Sequence, residues 1–289
     1  MRSEYFISVD GGGTQCRTQL INKQGQTLAS LTGGSANIWS DFTGAMTQAT
    51  QLIAETLRLA GLGKEHYSAT TAILGLAGAN VLSARQRAQL WPHDFGGWHV
   101  FSDVETACLG GHSGQPGAVL IIGTGSQGAV WDGSGFHCVG GWGLLLSDHG
   151  SGSLLGHQAL RLALQAHEGL QPMTPLTHAL MAQFDHSPQS LLSWSASASP
   201  AQWGQFSPLI FAHAAENDSN GVALVKARAD ETTLLINHLT HQGDYPVALM
   251  GGLAEPLLPW LAPEVQRQIV PPAQNALAGA LQWALARNY

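Results

Sequence analysis

The feature of this 289-residue sequence that most restricts its fold is a pattern that occurs twice. A β-type run, a turn rich in glycine and threonine, a second run, a tight turn and a third run begin at Tyr5, and the same order begins again at Gly117. The two glycine-rich turns lie about 113 positions apart. Because such runs separated by turn residues are typical of β-hairpins, the pattern predicts two related α/β domains that face a shared cleft.

Hydrophobic periodicity assigns secondary structure along the whole chain. Strands are predicted over residues 5–9, 16–22, 26–31, 70–76, 98–102, 117–122, 127–131, 136–139 and 247–250. Helices are predicted over residues 43–60, 83–90, 153–166, 175–184, 188–194, 208–216, 222–240 and 275–286. We therefore expect an N-terminal domain over 1–112, with the C-terminal helix 275–289 packing back on it, and a C-terminal domain over 113–289 that contains most of the helices.

The composition favours a compact protein that does not bind nucleic acid. Apolar residues make up 44% of the chain and charged residues 11%, which is typical of a packed α/β protein. The net charge is −7 with only 12 Lys and Arg, so the basic footprint that nucleic-acid binding requires is missing. Three widely spaced cysteines argue against a disulfide framework and against a zinc knuckle. The sequence carries no signal-peptide or membrane-spanning pattern, so we expect a cytoplasmic protein without a membrane partner.

The first glycine-rich turn combines an acidic residue with three glycines and a threonine. The residues are Asp10, Gly11, Gly12, Gly13 and Thr14. Glycines let the backbone bend sharply and bring N–H groups close to an anion. Asp10 at a strand end can hold Mg²⁺ through water, and Thr14 can bind a phosphate oxygen. The turn is therefore a candidate phosphate site, and the alternative is a glycine-rich hairpin in which Asp10 only stabilises the turn.

The second glycine-rich turn is another candidate phosphate loop. It consists of Gly123, Thr124, Gly125 and Ser126. The segment 123–128 also matches the glycine pattern of dinucleotide-binding folds, with Asp148 at a suitable distance. That reading requires the glycines to open a helix, whereas residues 129–131 read as a strand, so it is rejected. A nucleotide-binding P-loop needs a GxxxxGK[ST] string, which the sequence lacks.

Asp103 ends a predicted strand that lies between the two turns in the sequence. A carboxylate there can accept the proton of an attacking hydroxyl group. The alternative is that Asp103 is only the N-cap of a following helix. Both interpretations fit the sequence.

A third glycine-rich segment follows the second hairpin. Gly141, Trp142 and Gly143 are succeeded by Asp148 in a stretch dense in polar groups. Sugar hydroxyls are commonly bound by carboxylates and amides beside an aromatic wall. The alternatives are a surface loop that caps the helix beginning near residue 153, and a Trp142 that belongs to the core.

Together these motifs resemble the BadF/BadG/BcrA/BcrD ATPase family, which includes N-acetylglucosamine kinases and bacterial glucosamine kinases. The resemblance covers nearly the whole chain. It rests on VDGGGTQCR, GLAGA, SDVETACLGG, IIGTGSQG, GGWGLLLSDHGSGSLLG, MGGLAEPL and ALAGAL, which stand in the family's order, and on GSANIW and WGQFSP, which are similar to glucosamine kinases. The resemblance implies the duplicated two-domain ribonuclease-H-like α/β fold of actin, hexokinase and the heat-shock ATPases, with an interdomain cleft.

The resemblance also implies roles for individual residues. ATP and phosphate binding falls on Asp10, Gly11, Gly12, Gly13, Thr14, Arg17, Gly123, Thr124, Gly125, Ser126, Gly251 and Gly252, of which the last two match an adenosine motif. Asp103 matches the general base and a sugar contact. Sugar binding further falls on Asn37, Gly141, Trp142, Gly143 and Asp148. Asp10 is the implied Mg²⁺ residue.

The resemblance implies an ATP-dependent kinase that uses Mg²⁺, acts on the 6-hydroxyl of glucosamine or N-acetylglucosamine, and is a homodimer. The glycine-tryptophan-glycine loop is similar to N-acetylglucosamine kinases and the flanking sequence to glucosamine kinases, so the 2-substituent of the sugar stays open. The same family contains activator ATPases of radical 2-hydroxyacyl-CoA dehydratases, for which Cys108 and Cys138 would be cluster ligands. A third reading is a non-catalytic nucleotide switch of the actin type.

Overall fold

The structure is a computed structural model that describes residues 3–241 and 243–287. Its strands are β1 Tyr5–Gly11, β2 Cys16–Asn22, β3 Thr27–Gly33, β4 Thr70–Leu76, β5 Gly97–Ser102, β6 Gly117–Ile122, β7 Ser126–Trp131, β8 Phe136–Gly140, β9 Val247–Met250 and β10 Ile269–Val270. Its helices are α1 Phe42–Leu59, α2 Leu82–Gln89, α3 Asp103–Gly111, α4 Gly152–His167, α5 Pro175–Ala182, α6 Pro188–Ser195, α7 Pro200–Gly204, α8 Ser207–Ala215, α9 Ser219–Thr240, α10 Ala254–Leu257, α11 Pro263–Gln266 and α12 Ala276–Ala286. Short 3-10 turns lie at Lys64–Ala69 and Leu258–Trp260. Within the described ranges, no helix is both long and apolar enough to cross a bilayer.

The strands form two five-stranded sheets with the same order. The first runs β3-β2-β1-β4-β5, in which β1, β2 and β3 pair antiparallel and β1, β4 and β5 pair parallel. Read from its far end, the second runs β8-β7-β6-β9-β10, with β9 and β10 parallel. Each strand of the first sheet thus has a counterpart at the same place in the second. The α/β fold class with a duplicated architecture, expected from the repeated hairpin, is confirmed.

The chain divides into two compact units. The first contains the chain up to Val119, Ala129–His137 and the chain from Pro271 onward, and the second contains Leu120–Gly128 and Cys138–Val270. The predicted boundary between residues 112 and 113 stays a prediction.

The first sheet is covered on both faces, because its side chains alternate. On one face Ile7 and Val9 of β1 belong to a core with the apolar side of α1, which includes Met46 and Ile53. On the other face Phe6, Ile21 and Ile73 pack against Ala280, Leu281 and Ala284 of α12. A strand buried on both faces reads as a continuous apolar run, which explains the composition of β1 and β4. The C-terminal helix therefore closes the sheet that begins the chain.

Most predicted elements are confirmed. The strands over 16–22, 70–76, 117–122 and 247–250 match residue for residue, and the other predicted elements end within three residues of their predicted positions. Helices α3, α7, α10 and α11 and strand β10 were not predicted. In α3 every residue after Asp103 is buried, so the helix shows no polar face by which periodicity would reveal it.

Helices α3 and α12 approach each other through glycine. A Cβ atom at Gly279 would lie 2.2 Å from the Gly110 nitrogen and 2.5 Å from the Thr106 carbonyl oxygen. Those neighbours are backbone atoms, so they cannot turn away as a flexible side chain would. The close contact of the two helices therefore depends on the missing side chain at position 279.

We expect Gly279→Ala to lower the free energy of unfolding by about 1–3 kcal/mol, because the new methyl group overpacks this contact. In an unpacked helix the same substitution would stabilise the protein by about 1 kcal/mol, so the sign is diagnostic. Urea unfolding measures the change. Gly135→Ala is the control, since a Cβ there meets no atom within 4 Å. A Gly279→Ala protein as stable as the wild type would contradict the close packing of α3 on α12.

Candidate active site

Two predicted acidic residues lie at one edge of the first sheet. Strands β1, β4 and β5 are parallel neighbours, and Leu76 of β4 lies beside Gly11 of β1 and beside Ser102 of β5. Asp10 and Asp103 therefore stand at the carboxyl ends of β1 and β5, the two parallel strands on either side of β4. This is the edge at which open α/β sheets bind ligands. Asn37 joins them there, because it forms an isolated parallel bridge with Ala77, directly after β4.

Asp103 is the first residue of α3 and does not cap it. The N-cap is Ser102, whose hydroxyl accepts the Glu105 N–H, while the Glu105 carboxylate accepts the Ser102 N–H at 2.8 Å. The alternative in which Asp103 serves as the N-cap is therefore wrong. Because Ser102 satisfies the helix terminus, the Asp103 carboxylate is left available for a ligand. The Val104 N–H donates to its Oδ1 at 3.0 Å and helps to fix its direction.

A partly buried ion pair supports this turn. Arg85 of α2 donates to Glu105 Oε1 at 3.0 Å and to the Val100 carbonyl oxygen at 3.0 Å. Neither residue was predicted from the sequence. The contact between Glu105 and Ser102 could be predicted, since a serine followed three residues later by a glutamate is a capping-box pattern. The contact between Arg85 and Glu105 joins two helices, and no local sequence pattern predicts it.

Burial raises the pKa of Asp103 to about 6, and the negative charge of Asp10 adds to the rise. The Val104 N–H acts in the opposite direction, because it stabilises the charged form. A carboxyl group that titrates near 6 is a better proton acceptor at neutral pH than an ordinary aspartate, and it is still ionised there. Asp103 therefore has the properties of a general base.

Asp10 is paired with Arg17. The two residues lie opposite each other in the β1–β2 register, and an Arg17 guanidinium nitrogen donates to Asp10 Oδ2. Arg17 is about half exposed while Asp10 is largely buried. Among the described residues, no cluster of three or more His, Cys, Asp or Glu is arranged to hold a metal. The carboxylate oxygens of Asp10 are hard donors, so this edge fits a Mg²⁺ ion that keeps most of its water.

The glycines of the first turn are not there to allow left-handed backbone. None of Gly11, Gly12 and Gly13 has a φ in that region. At Gly11 a Cβ would lie 2.7 Å from Leu76, so packing requires the glycine. At Gly13 a Cβ would meet no atom within 4 Å, and the neighbouring Thr14 is exposed. The chain therefore bends at 13 and 14, as the sequence predicts, and presents open backbone there without a left-handed φ.

Within residues 3–241 and 243–287, the Asn37 side chain forms hydrogen bonds through its Oδ1 alone. Its Oδ1 accepts the N–H groups of Trp39 at 2.9 Å and Ser40 at 3.2 Å, which sets a turn before α1. The amide nitrogen can donate to a ligand. Asn37 thus joins the edge formed by Asp10 and Asp103 in the first unit.

The remaining predicted residues lie in the second unit, where the second turn adjoins the start of α4. The N–H groups of Gly152 and Ser153 donate to the carbonyl oxygens of Gly123 at 2.8 Å and Thr124 at 3.1 Å. The turn itself is closed by a hydrogen bond from the Gly123 N–H to the Gly125 carbonyl oxygen. Its position is therefore fixed by the first turn of a helix.

The predicted adenosine motif lies beside this turn. A Cβ at Gly251 would lie 2.3 Å from the Ile122 carbonyl oxygen, and the Leu253 N–H donates to that oxygen at 3.0 Å. Gly252 is close to Gly123, whose added Cβ would lie 3.9 Å from the Gly252 nitrogen. The structure thus brings together two motifs that are far apart in the sequence.

Asp148 also reaches the second turn. It is 5% exposed, has a φ of +59°, and accepts the Ser126 N–H at 3.3 Å through Oδ1. Burial raises its pKa, and the Ser126 N–H opposes that rise. Asp148 is thus a buried acid at the second turn. No local sequence pattern predicts this hydrogen bond.

The glycine-tryptophan-glycine loop is exposed. Trp142 is 58% exposed, so the alternative that places it in the core is wrong. Gly141 donates through its N–H to the Ser126 carbonyl oxygen at 3.0 Å, which ties the loop to the second turn. The loop also leads into α4, which is capped by the Ser151 side chain, as the surface-loop alternative requires. Capping a helix and presenting an indole ring are compatible in this segment.

Known proteins resemble this chain over nearly its whole length. A glucosamine kinase, GspK, of Vibrio cholerae is 36% identical over 280 residues, which cover 97% of this chain and 95% of that protein. A solved structure from Chromobacterium violaceum, provisionally described as an N-acetylglucosamine kinase, has a TM-score of 0.88 at 31% identity and covers 98% of this chain and 99% of its own. The activator of 2-hydroxyisocaproyl-CoA dehydratase from Clostridium difficile reaches a TM-score of 0.50 at 15% identity, covers 98% of this chain and 93% of its own, and shows a shared fold alone.

The comparison with protein families agrees with the arrangement of these turns and acids. Residues 7–284, which include both glycine-rich turns, Asp103, Asp148 and Gly251, match one family. The chain therefore belongs to the BadF/BadG/BcrA/BcrD ATPase family.

Proposed function

We propose that this protein is an ATP-dependent amino-sugar kinase that transfers the γ-phosphoryl group to the 6-hydroxyl of glucosamine or N-acetylglucosamine. The observation that carries the proposal is Asp103, which stands at a strand end beside Asp10 with a pKa of about 6. The similarity to the Vibrio cholerae glucosamine kinase supports the choice of an amino sugar.

In the proposed reaction Asp103 orients the sugar hydroxyl and accepts its proton as the oxygen attacks phosphorus. The bond from that oxygen to the γ-phosphorus forms while the bond to the bridging oxygen of ADP breaks. The position of Asp103 in the first turn of α3 favours its charged form, since helix N-termini stabilise anions. The burial of Asp103 has the opposite effect and keeps it basic enough to take the proton.

The phosphate groups are assigned to the two glycine-rich turns. Asp10, Gly11, Gly12, Gly13, Thr14 and Arg17 form one group of proposed contacts, and Gly123, Thr124, Gly125, Ser126, Gly251 and Gly252 form the other. Arg17 is half exposed and can contact a phosphate oxygen while it remains next to Asp10. Mg²⁺, when bound, supplies positive charge to the phosphate oxygens, and Asp10 would hold it through water.

The sugar is assigned to Asn37, Asp103, Gly141, Trp142, Gly143 and Asp148. Asn37 can donate from its amide nitrogen, and Asp148 can accept from ring hydroxyls. The exposed Trp142 ring offers an apolar surface for a sugar face or an acetamide methyl group. We further propose that the enzyme works in the cytoplasm, and the homodimer stays a prediction.

The activator-ATPase alternative is disfavoured by the cysteines. Cys108 is fully buried, and its thiol donates to the Gly117 carbonyl oxygen at 3.3 Å and contacts that of Ala129 at 3.6 Å. A cluster ligand needs a thiolate that can reach a shared cluster, which this buried thiol cannot. The switch alternative is disfavoured by the basic character of Asp103, which a purely conformational role would not use.

We expect the wild-type protein to release ADP only when glucosamine or N-acetylglucosamine is present in a panel of hexoses and amino sugars. Asp103→Asn should retain ATP binding and lower kcat about 10²–10⁴-fold, because the proton acceptor is lost. A coupled ADP-release assay measures both. Asp94→Asn, which removes an exposed carboxylate from the same unit, is the control. Near-normal kcat in Asp103→Asn would remove this residue from the mechanism.

The raised pKa of Asp103 also predicts a pH-dependent stability difference. The folded protein keeps this proton up to about pH 6, whereas the unfolded chain releases it near the ordinary value of 3.8. Wild-type stability relative to Asp103→Asn should therefore fall between about pH 4 and pH 6 and stay low above that range. Thermal unfolding of both proteins from pH 4 to pH 8 measures the difference. A constant difference across that range would show that the carboxyl group has an ordinary pKa.

The sugar assignment is tested by two substitutions in the loop. Asp148→Ala should lower kcat/KM about 10–150-fold on glucosamine and on N-acetylglucosamine, because a charged hydrogen bond to ring hydroxyls is lost. Trp142→Ala should lower kcat/KM more on the N-acetylated sugar, whose methyl group loses an apolar surface. Unchanged sugar kinetics in Asp148→Ala would mean that the loop does not bind the sugar.

A further inference from the structure

The turn that carries Asp148 is anchored to helix α9 by a residue that no motif identifies. The N–H of Gly150 donates to Glu231 Oε2 at 2.7 Å, across 81 positions of sequence. The same turn is closed by a hydrogen bond from the Ser151 N–H to the Asp148 carbonyl oxygen at 3.0 Å. Glu231 therefore holds the segment in which Asp148 adopts its left-handed φ of +59°.

Glu231 is itself fixed by a buried arginine. Arg228 is 3% exposed and donates to Glu231 Oε1 at 2.8 Å and to Gln158 Oε1 of α4 at 2.8 Å. Both carboxylate oxygens of Glu231 are thus occupied, one by Arg228 and one by Gly150. An arginine this deeply buried is costly to leave without its partner, so the pair is held in one geometry.

The contacts lead from α9 to the second glycine-rich turn. Gly150 packs on the same turn of α9, where an added Cβ would lie 2.6 Å from Thr232 Oγ1. At the other side of the segment the Asp148 carboxylate accepts the Ser126 N–H. Asp148 therefore lies between two fixed points, one on α9 and one on the second turn.

We propose that Glu231, held by Arg228, is a positioning residue that sets the direction of the Asp148 carboxylate toward the sugar. This inference rests on the proposed function, because Asp148 is a proposed sugar contact. Glu231 acts through the Gly150 N–H and not by touching the substrate. Its loss should therefore weaken sugar use far more than ATP binding, which Asp148 affects only through the Ser126 N–H.

The most direct variant is Glu231→Gln, which keeps the shape of the side chain. A glutamine has one acceptor oxygen, so it can satisfy Arg228 or Gly150 and not both, and its amino group faces a second donor. We expect the KM for the amino sugar to rise about 10–100-fold, with the KM for ATP within about twofold of the wild-type value. Asp230→Asn is the matched control, because it removes an exposed carboxylate one residue away on the same helix.

A double-mutant cycle separates positioning from general support. If Glu231 acts through Asp148, Glu231→Gln should cost little further activity in an Asp148→Ala background. If Glu231 only stabilises the fold, the losses of the two single variants should multiply. Multiplying losses, or a KM for ATP that rises together with the KM for the sugar, would overturn the inference.

Hydrogen exchange tests the anchor without any substrate. Amide exchange in the segment 149–151 should become about tenfold faster or more in Glu231→Gln and stay unchanged in Asp230→Asn. If Glu231→Gln does not fold, Gln158→Ala removes one partner of Arg228 and should give a weaker acceleration of the same segment. Unchanged exchange overturns the inference. A wild-type protein that phosphorylates no amino sugar overturns the proposed function instead, and exchange still decides whether Glu231 holds the turn.

Discussion

The parallel pairing of β1, β4 and β5 is the constraint on which the first unit depends. Parallel strands in neighbouring positions bring their carboxyl ends to one edge, so Asp10 and Asp103 lie at the same edge although 93 positions separate them. Burial then raises the pKa of Asp103, and the negative charge of Asp10 adds to the rise. If β4 paired with β1 in a different register, every residue pair along the two strands would shift. The carboxyl ends of the strands would then no longer lie side by side. Strand pairing therefore sets the position of these side chains, and their residue type then sets the candidate chemistry.

Asp103 in the first unit and Asp148 in the second are each supported by a glutamate. Asp103 follows a strand and is supported by Glu105, which Arg85 binds. Asp148 precedes a helix and is supported through Gly150 by Glu231, which Arg228 binds. In both cases a glutamate accepts a backbone N–H in the segment of the acid and is paired with an arginine, Arg85 from helix α2 in the first case and Arg228 from the preceding turn of α9 in the second. The carboxylates that would meet the substrate are thereby kept out of structural ion pairs.

Much of this arrangement could be predicted from the sequence. The features that could be predicted depend on neighbouring residues, and those that could not depend on contacts between distant parts of the chain. Strands such as β2 and β4 were predictable because alternation and apolar runs are local properties. The N-cap role of Ser102 was also predictable, because Glu105 follows it three residues later in a capping-box pattern. The exposure of Trp142 and the contact between Glu231 and Gly150 depend on elements far apart in the chain, and no local pattern encodes them.

At Gly13 the effect of a substitution on ligand binding can be separated from its effect on the fold. An alanine there would meet no neighbouring atom and would need no left-handed φ, so the chain itself has no requirement for glycine at this position. At Gly11 the opposite holds, because a methyl group would collide with Leu76. Any effect of a methyl group at 13 would come from what approaches the turn from outside. A substitution at position 13 therefore tests ligand binding at the turn alone, whereas a substitution at position 11 changes ligand binding and the fold together.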